Sequence, residues 1–318
     1  MSLPAVLQNL RLPVVGAPLF IVSGPELVIA QCKAGIVGSF PALNARPQHV
    51  LDEWLTRINI ELDAYKKDNP DAIVAPYAVN QICHGSNNRL MEDMETCVKH
   101  KVPIVITSLQ ANKHVYDAVH SYGGIIMHDV INIRHTEKAL ELGADGIIAV
   151  CAGAGGHAGT LSPYALIPEI RKIHDGLLLC SGSIADGGSV LGAQAIGADL
   201  AYIGTRFIAS EEANAESAYK HMLVESAAKD VVYSSLFTGV NGNYLSKSIE
   251  AAGMDPKNLP EADKSSMNFG SGGNSEAKAW KDIWGAGQGT GSIDDVPSVA
   301  KIVERMEAEY KAAKSRIM

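Results

Sequence analysis

Three short segments hold the residue types that chemistry needs, and each follows an apolar run. The first, Cys151-Ala152-Gly153-Ala154-Gly155-Gly156-His157-Ala158-Gly159, sets four glycines around a single histidine. Without a Cβ the backbone approaches a flat or phosphorylated ligand closely, and the imidazole meets that ligand as a base or a hydrogen-bond donor. The second, Ser181-Gly182-Ser183-Ile184-Ala185-Asp186-Gly187, and the third, Gly204-Thr205-Arg206, are small and polar. Each stands between an apolar run and a helical stretch, where backbone N–H groups at a helix start receive an anion.

Other chemistries lack their residues. The chain has no G-x-x-x-x-G-K-[ST], and Gly16-Ala17-Pro18-Leu19 stands after the first apolar run where a Rossmann glycine fingerprint would lie. Ten histidines occur without an H-E-x-x-H spacing, and His114, His120, His128 and His135 fall on separate elements, so no metal centre is expected. Of these, the His128-Asp129 pair at the end of a strand could face an active site. No G-x-S-x-G elbow marks a serine nucleophile, and Cys151 and Cys180 lie in apolar surroundings that keep thiols neutral. The five cysteines show no C-x-x-C pair and read as reduced thiols of a cytoplasmic protein.

A net charge of −8 opposes binding to a phosphate backbone, so nucleic acid is not an expected partner. The N-terminal stretch lacks a basic region followed by a sustained apolar core, and no later run reaches the ~20 apolar residues of a membrane span. The chain is read as soluble and unprocessed, with no membrane partner. With 318 residues, 47% of them hydrophobic and 19% charged, it is long enough for a full globular core.

The reactive segments need a scaffold, and the rest of the sequence describes one. Up to about residue 205, β-branched runs alternate with segments of helical period, the signature of βαβ units. Strands are expected at Leu12–Ala17, Gly35–Ser39, Ile73–Val79, Ile104–Ser108, Gly124–His128, Gly146–Val150, Leu177–Ser181 and Leu200–Ile203. Helices are expected at Pro25–Lys33, Pro47–Lys67, Asn87–His100, Lys113–Ser121, Arg134–Leu142, Tyr164–His174 and Gly187–Ile196. Eight such units fit an α/β fold of the TIM (β/α)₈ barrel type better than a doubly wound sheet, and barrels place their reactive groups at the C-terminal ends of strands. A helical stretch at Glu211–Lys229, the low-complexity run SSMNFGSGGNSE, and a periodic helix at Asp294–Arg316 complete the chain. The expected organisation is a barrel over residues 1–210 and 292–318, with a small, mostly helical domain, 211–291, inserted after the last strand.

Seven pieces in order, LRLPVVGAPL (10–19), PYAVNQ (76–81), AGAGGHAGT (152–160), SGSIADG (181–187), GADLAYIGTRFIAS (197–210), LFTGVNGNYL (236–245) and WGAGQGTGSIDD (284–295), carry a resemblance over nearly the whole chain. The sequence resembles the FMN-dependent nitronate monooxygenases, once called 2-nitropropane dioxygenases. That resemblance implies FMN held noncovalently at the barrel mouth and covered by the insertion. Ala17, Pro18, Leu19 and Asn80 would touch it, Gly155 would lie beside it, and Gln288 and Gly289 would belong to the loop Gly287-Gln288-Gly289-Thr290 that returns to it. The phosphate would rest on the N–H groups of Gly182, Ser183, Gly204 and Thr205, and His157 would be the catalytic group. The implied reaction takes alkyl nitronates such as propionate 3-nitronate, or a nitroalkane, with O2 to carbonyl compounds and nitrite through a flavin semiquinone. The alternative is an NAD(P)H-dependent FMN reductase of the same superfamily, acting on enoyl-acyl carrier protein or quinones; a homodimer is compatible with either. Two positions depart from the family pattern: Ser183 stands where a second glycine is common, and Val150 where a polar side chain often lies near the flavin.

Overall fold

Side chains along a strand alternate between two faces, so a run buried on both faces fits a barrel whose interior and exterior are both covered. The computed structural model describes residues 3–260 and 283–317. Its barrel strands are β1 (Val14–Gly16), β2 (Gly38–Pro41), β3 (Tyr77–Cys83), β4 (Ile104–Leu109), β5 (Ile125–Val130), β6 (Gly146–Val150), β8 (Leu177–Ser181) and β9 (Leu200–Ile203). The two-residue β7 (Gly156–His157) stands apart. The eight pair in the order β1-β9-β8-β6-β5-β4-β3-β2, every pair parallel. A parallel bridge between Val15 and Val37 closes the ring, and Gly16 N–H donates to Val37 O at 2.8 Å. The TIM barrel expected from the βα alternation is therefore the observed scaffold.

Val15, Ala78, Ile106, Met127, Ile148 and Leu179 fill the barrel interior. Alternation places the next inward positions two residues on, at Ala17, Asn80, Ser108, Asp129, Val150 and Ser181, the C-terminal rim where such barrels carry their chemistry. Around the strands run α1 (Pro25–Lys33), α2 (Val50–Asp68), α3 (Leu90–Lys99), α4 (Lys113–His120), α5 (Ile133–Glu141), α6 (Pro163–Arg171) and α7 (Gly187–Ala195). Asn112 and Asn132 cap α4 and α5 by accepting from backbone N–H groups, and Asp186 with Ser189 forms a capping box on α7. Each cap stabilises its helix by ~1 kcal/mol.

After β9 come α8 (Thr205–Ile208), α9 (Ser217–Val224), β10 (Val231–Ser234), β11 (Gly242–Leu245), α10 (Ser246–Ala251) and, last, α11 (Val299–Ile317). The final helix lies between α7 and α1 and completes the outer layer. Gly187 N–H donates to Glu309 at 2.8 Å, and the Tyr310 hydroxyl donates to Gln194 at 2.6 Å.

Three expected elements moved furthest at their starts. The third strand begins at Tyr77 rather than Ile73, because Pro76 has no N–H to give a ladder. The last helix begins at Val299, whose N–H is taken by Glu212 at 2.9 Å, while Asp295 turns aside to pair with Arg305. The helix expected over 211–229 is confined to Ser217–Val224, since Asn214 is tied to Ile21 and Val22 by two bonds of 3.0 Å. The mostly helical character expected of 211–291 is not established. Its described residues hold two short helices and an antiparallel pair, β10–β11, whose second strand also pairs with β7 of the barrel loop. The SSMNFGSGGNSE run lies outside the described residues.

Candidate active site

The rim inherits polar side chains from the strand alternation. Asn80, 4% exposed, donates from Nδ2 to Ser108 Oγ at 2.8 Å and to Ile106 O at 3.2 Å. Asp129 accepts from Ser108 and from Leu109 N–H at 3.4 Å, and burial pushes its carboxyl up to about 6. Alternation separates the His128-Asp129 pair. His128 points outward, its Nδ1 lying 2.8 Å from Thr107 Oγ1 and its ring set edge-on to Tyr116. Burial holds its pKa down to about 4, which makes it a satisfied neutral histidine between sheet and helix rather than a site residue. At β1, Ala17 N–H donates to Ile203 O, Leu19 N–H to Ser23 Oγ, and Asn44 Nδ2 to Leu19 O. These bonds fix the Ala17-Pro18-Leu19 turn at the rim.

The histidine loop leaves the end of β6 and returns to it, Gly159 N–H donating to Val150 O at 3.3 Å. His157 is held on this loop by antiparallel pairing with Gly242 of β11. Its Nε2 lies 3.0 Å from Thr238 Oγ1, and the Thr238 hydroxyl itself donates to Val240 O at 3.0 Å. With that hydrogen committed, Thr238 is set to accept from Nε2–H. Burial lowers the imidazole to about 4, so it is neutral at pH 7. Asn243, 4% exposed, secures the same loop by donating to Ala154 O at 2.6 Å.

The remaining segments converge on this loop. Ser183 N–H donates to Gly153 O at 3.2 Å and Gln288 N–H to the same oxygen at 2.9 Å, while Gly287 N–H donates to Thr205 Oγ1 at 2.8 Å. The packing is tight enough to require glycine: a Cβ on Gly153 would lie 2.1 Å from Ser183 Oγ, and one on Gly155 would lie 2.8 Å from Gly287 N. Gly204 sits against Leu19, a Cβ there meeting Leu19 Cδ2 at 3.2 Å. The loops carrying Gly155, Gly182–Ser183, Gly204–Thr205 and Gln288–Gly289 thus form one assembly, joined to the β1 turn through Leu19. The Ser183 amide, expected as a free donor, is engaged by Gly153, which leaves that residue its hydroxyl for an anion.

Spacing alone does not single out Ser108, Thr238 or Asn243, and it offers Asp129 only as half of the His128-Asp129 pair. Continuing the two-residue alternation one step past the last apolar side chain of β4 and β5 would have pointed Ser108 and Asp129 inward. Thr238 and Asn243 lie in LFTGVNGNYL, a quoted piece whose pairing with β7 is a non-local contact that no spacing reveals. Among the described residues no group of three or more His, Cys, Asp or Glu could hold a metal, and no helix is long and apolar enough to cross a membrane. The five cysteines are free and buried.

The nitronate monooxygenase family profile matches residues 6–309. The chain belongs to the nitronate monooxygenase family. It is an oxidoreductase by that membership, and a nitronate monooxygenase of Paraburkholderia phytofirmans is 26% identical to it over 342 residues, spanning 94% of this chain and 92% of the relative. Nitroalkane oxidase from Streptomyces ansochromogenes superposes with a TM-score of 0.78 at 20% identity, covering 99% of this chain and 100% of that one. FabK from Thermotoga maritima gives 0.77 at 20% identity, covering 98% and 96%. At such identities these two structures establish the barrel fold.

Proposed function

We propose that the chain oxidises alkyl nitronates, propionate 3-nitronate among them, with O2 to a carbonyl compound and nitrite, using FMN bound at the barrel mouth. The observation that carries this reading is a neutral imidazole, His157, fixed by Thr238 on the glycine loop that closes over the end of β6. The donor set fits FMN in kind. A polar ring system finds amide, hydroxyl and carboxyl groups at Asn80, Ser108 and Asp129, with apolar Ala17, Pro18, Leu19 and Val150 for its faces. The phosphate would be held by the Gly182, Gly204 and Thr205 amides together with the Ser183 hydroxyl. Gly155, Gln288 and Gly289 would border it, and residues 211–291 would cover it.

When bound, FMN supplies the electron transfer between nitronate and O2 that no side chain can perform. The chain supplies position and proton handling. His157, neutral at pH 7, takes the α-proton of a nitroalkane. The anion formed beside it raises the imidazole pKa, which holds the transferred proton and seats the nitronate oxygens. Val150, without a hydrogen-bonding group, leaves that part of the rim apolar and suited to a short alkyl chain. The same reading places the protein in the cytoplasm with no membrane partner and is compatible with a homodimer.

Anaerobic mixing tests the proposal. Bound flavin should bleach with a nitronate and stay coloured with NADH or NADPH, and readmitted O2 should yield nitrite. Bleaching by a pyridine nucleotide but not by nitronate would replace this reading with that of a reductase on the same scaffold.

A further inference from the structure

Asp129 lies outside the seven family-like pieces, yet the barrel geometry carries it to the rim. It follows Met127 by two residues on β5, and Met127 packs in the barrel interior, so the carboxyl faces the mouth. A chain of hydrogen bonds ends on it: Asn80 Nδ2 donates to Ser108 Oγ at 2.8 Å, and Ser108 donates onward to the Asp129 carboxyl. Leu109 N–H adds a bond of 3.4 Å, and Leu109 holds the strained φ of +74°. A non-glycine residue in that region costs ~1–3 kcal/mol, and such strain clusters at active sites and ligand clamps.

We propose that Asp129 is a proton-exchanging residue of the cofactor site, donating a hydrogen bond to the ring of bound flavin when protonated and weakening flavin binding when ionised. The proposal rests on the FMN reading above and goes beyond it, adding a second titrating group to His157.

The surroundings favour this use. Burial raises the carboxyl to about 6 against the pull of Ser108 and Leu109, and among the described residues no cation contributes to its titration. The titrating groups that feel its charge are acids: Tyr202 of β9, Tyr116 of α4 and Cys83 of β3, each pushed upward chiefly by burial and further by Asp129. On the strands beside it, Asn80, Ser108 and Val150 carry no charge. The carboxyl therefore exchanges its proton within the physiological range with no basic partner to lock it ionised. A flavin ring offers carbonyl oxygens and a ring nitrogen as acceptors, so the protonated acid meets a matching group and the carboxylate a repelling one.

The test is FMN affinity, read by quenching of flavin fluorescence between pH 6 and pH 8. Because the phosphate of FMN also titrates near pH 6, each titration is paired with Asp129→Asn and repeated with riboflavin, which lacks the phosphate. Linkage weakens wild-type binding by up to about tenfold per pH unit above the carboxyl's pKa. The expected result is at least a tenfold loss between pH 6 and 8 in wild type, under twofold for riboflavin on Asp129→Asn, and weak binding at every pH for Asp129→Leu. A purely structural aspartate would not give the asparagine variant a flat profile with intact affinity. Wild type that binds riboflavin equally at both pH values overturns the role of Asp129 and leaves the FMN reading standing. Wild type that binds neither flavin at any pH overturns both.

Discussion

Replacing His157 by asparagine separates its proton chemistry from mere occupancy of the site. Burial holds the imidazole at about 4. At pH 7 only about one molecule in a thousand is therefore protonated, and the residue is ready to act as a base. Its Nε2 lies 3.0 Å from Thr238 Oγ1, which fixes the orientation of the ring. Removing one positioned general base costs about 10²–10⁴ in rate, or ~3–5 kcal/mol of barrier. A preformed nitronate has already lost its α-proton, so only the seating contribution is removed and its oxidation should fall by less than about tenfold, ~1 kcal/mol for one hydrogen bond. The assay is nitrite release under O2 with the same compound presented as neutral nitroalkane and as anion. The acid limb of kcat/KM on the nitroalkane should bend near pH 4 rather than 6.5. Equal losses on both forms would refute the base assignment, as would full retention of nitroalkane activity.

Two further outcomes follow from the same geometry. Asn243→Ala leaves the buried Ala154 carbonyl without its 2.6 Å partner. The variant should lose about 1–3 kcal/mol in urea denaturation and show faster amide exchange in the histidine loop; an unchanged midpoint and unchanged exchange would contradict the anchoring role. His128, buried and held down to about 4, binds its proton far more readily in the unfolded chain, whose value is near 6.5. The stability that follows is present above pH 6.5 and is lost as pH falls through 4, about 2–3 kcal/mol between pH 7 and 4.5. His128→Asn should flatten that slope, and a wild-type curve flat over this range would contradict the assignment.

Local pattern and tertiary pairing divided what the sequence could show. The barrel was legible because runs such as Ile104–Ser108 and Gly146–Val150 are apolar on both faces and are spaced by helices with their own caps, Asn112 and Asp186 among them. The histidine loop stands out as a candidate because four glycines and one histidine directly follow a buried strand. The start of β3 differs from the expectation because Ile73 and Val74 are apolar yet precede Pro76, which breaks the ladder. The partners of His157 were hidden for a different reason: Thr238 lies 81 residues away and meets it only through β11. The sequence shows His128 and Asp129 side by side at a strand end, but only the inward register of Met127 decides that the second of the two faces the mouth.

The account rests on a flavin held at the rim of the barrel, and stoichiometric uptake measures that directly. Purified protein, stripped of small molecules and titrated with FMN, should bind one equivalent per chain, turn yellow and retain the colour through gel filtration. A chain that stays colourless and leaves added FMN free in solution would contradict it.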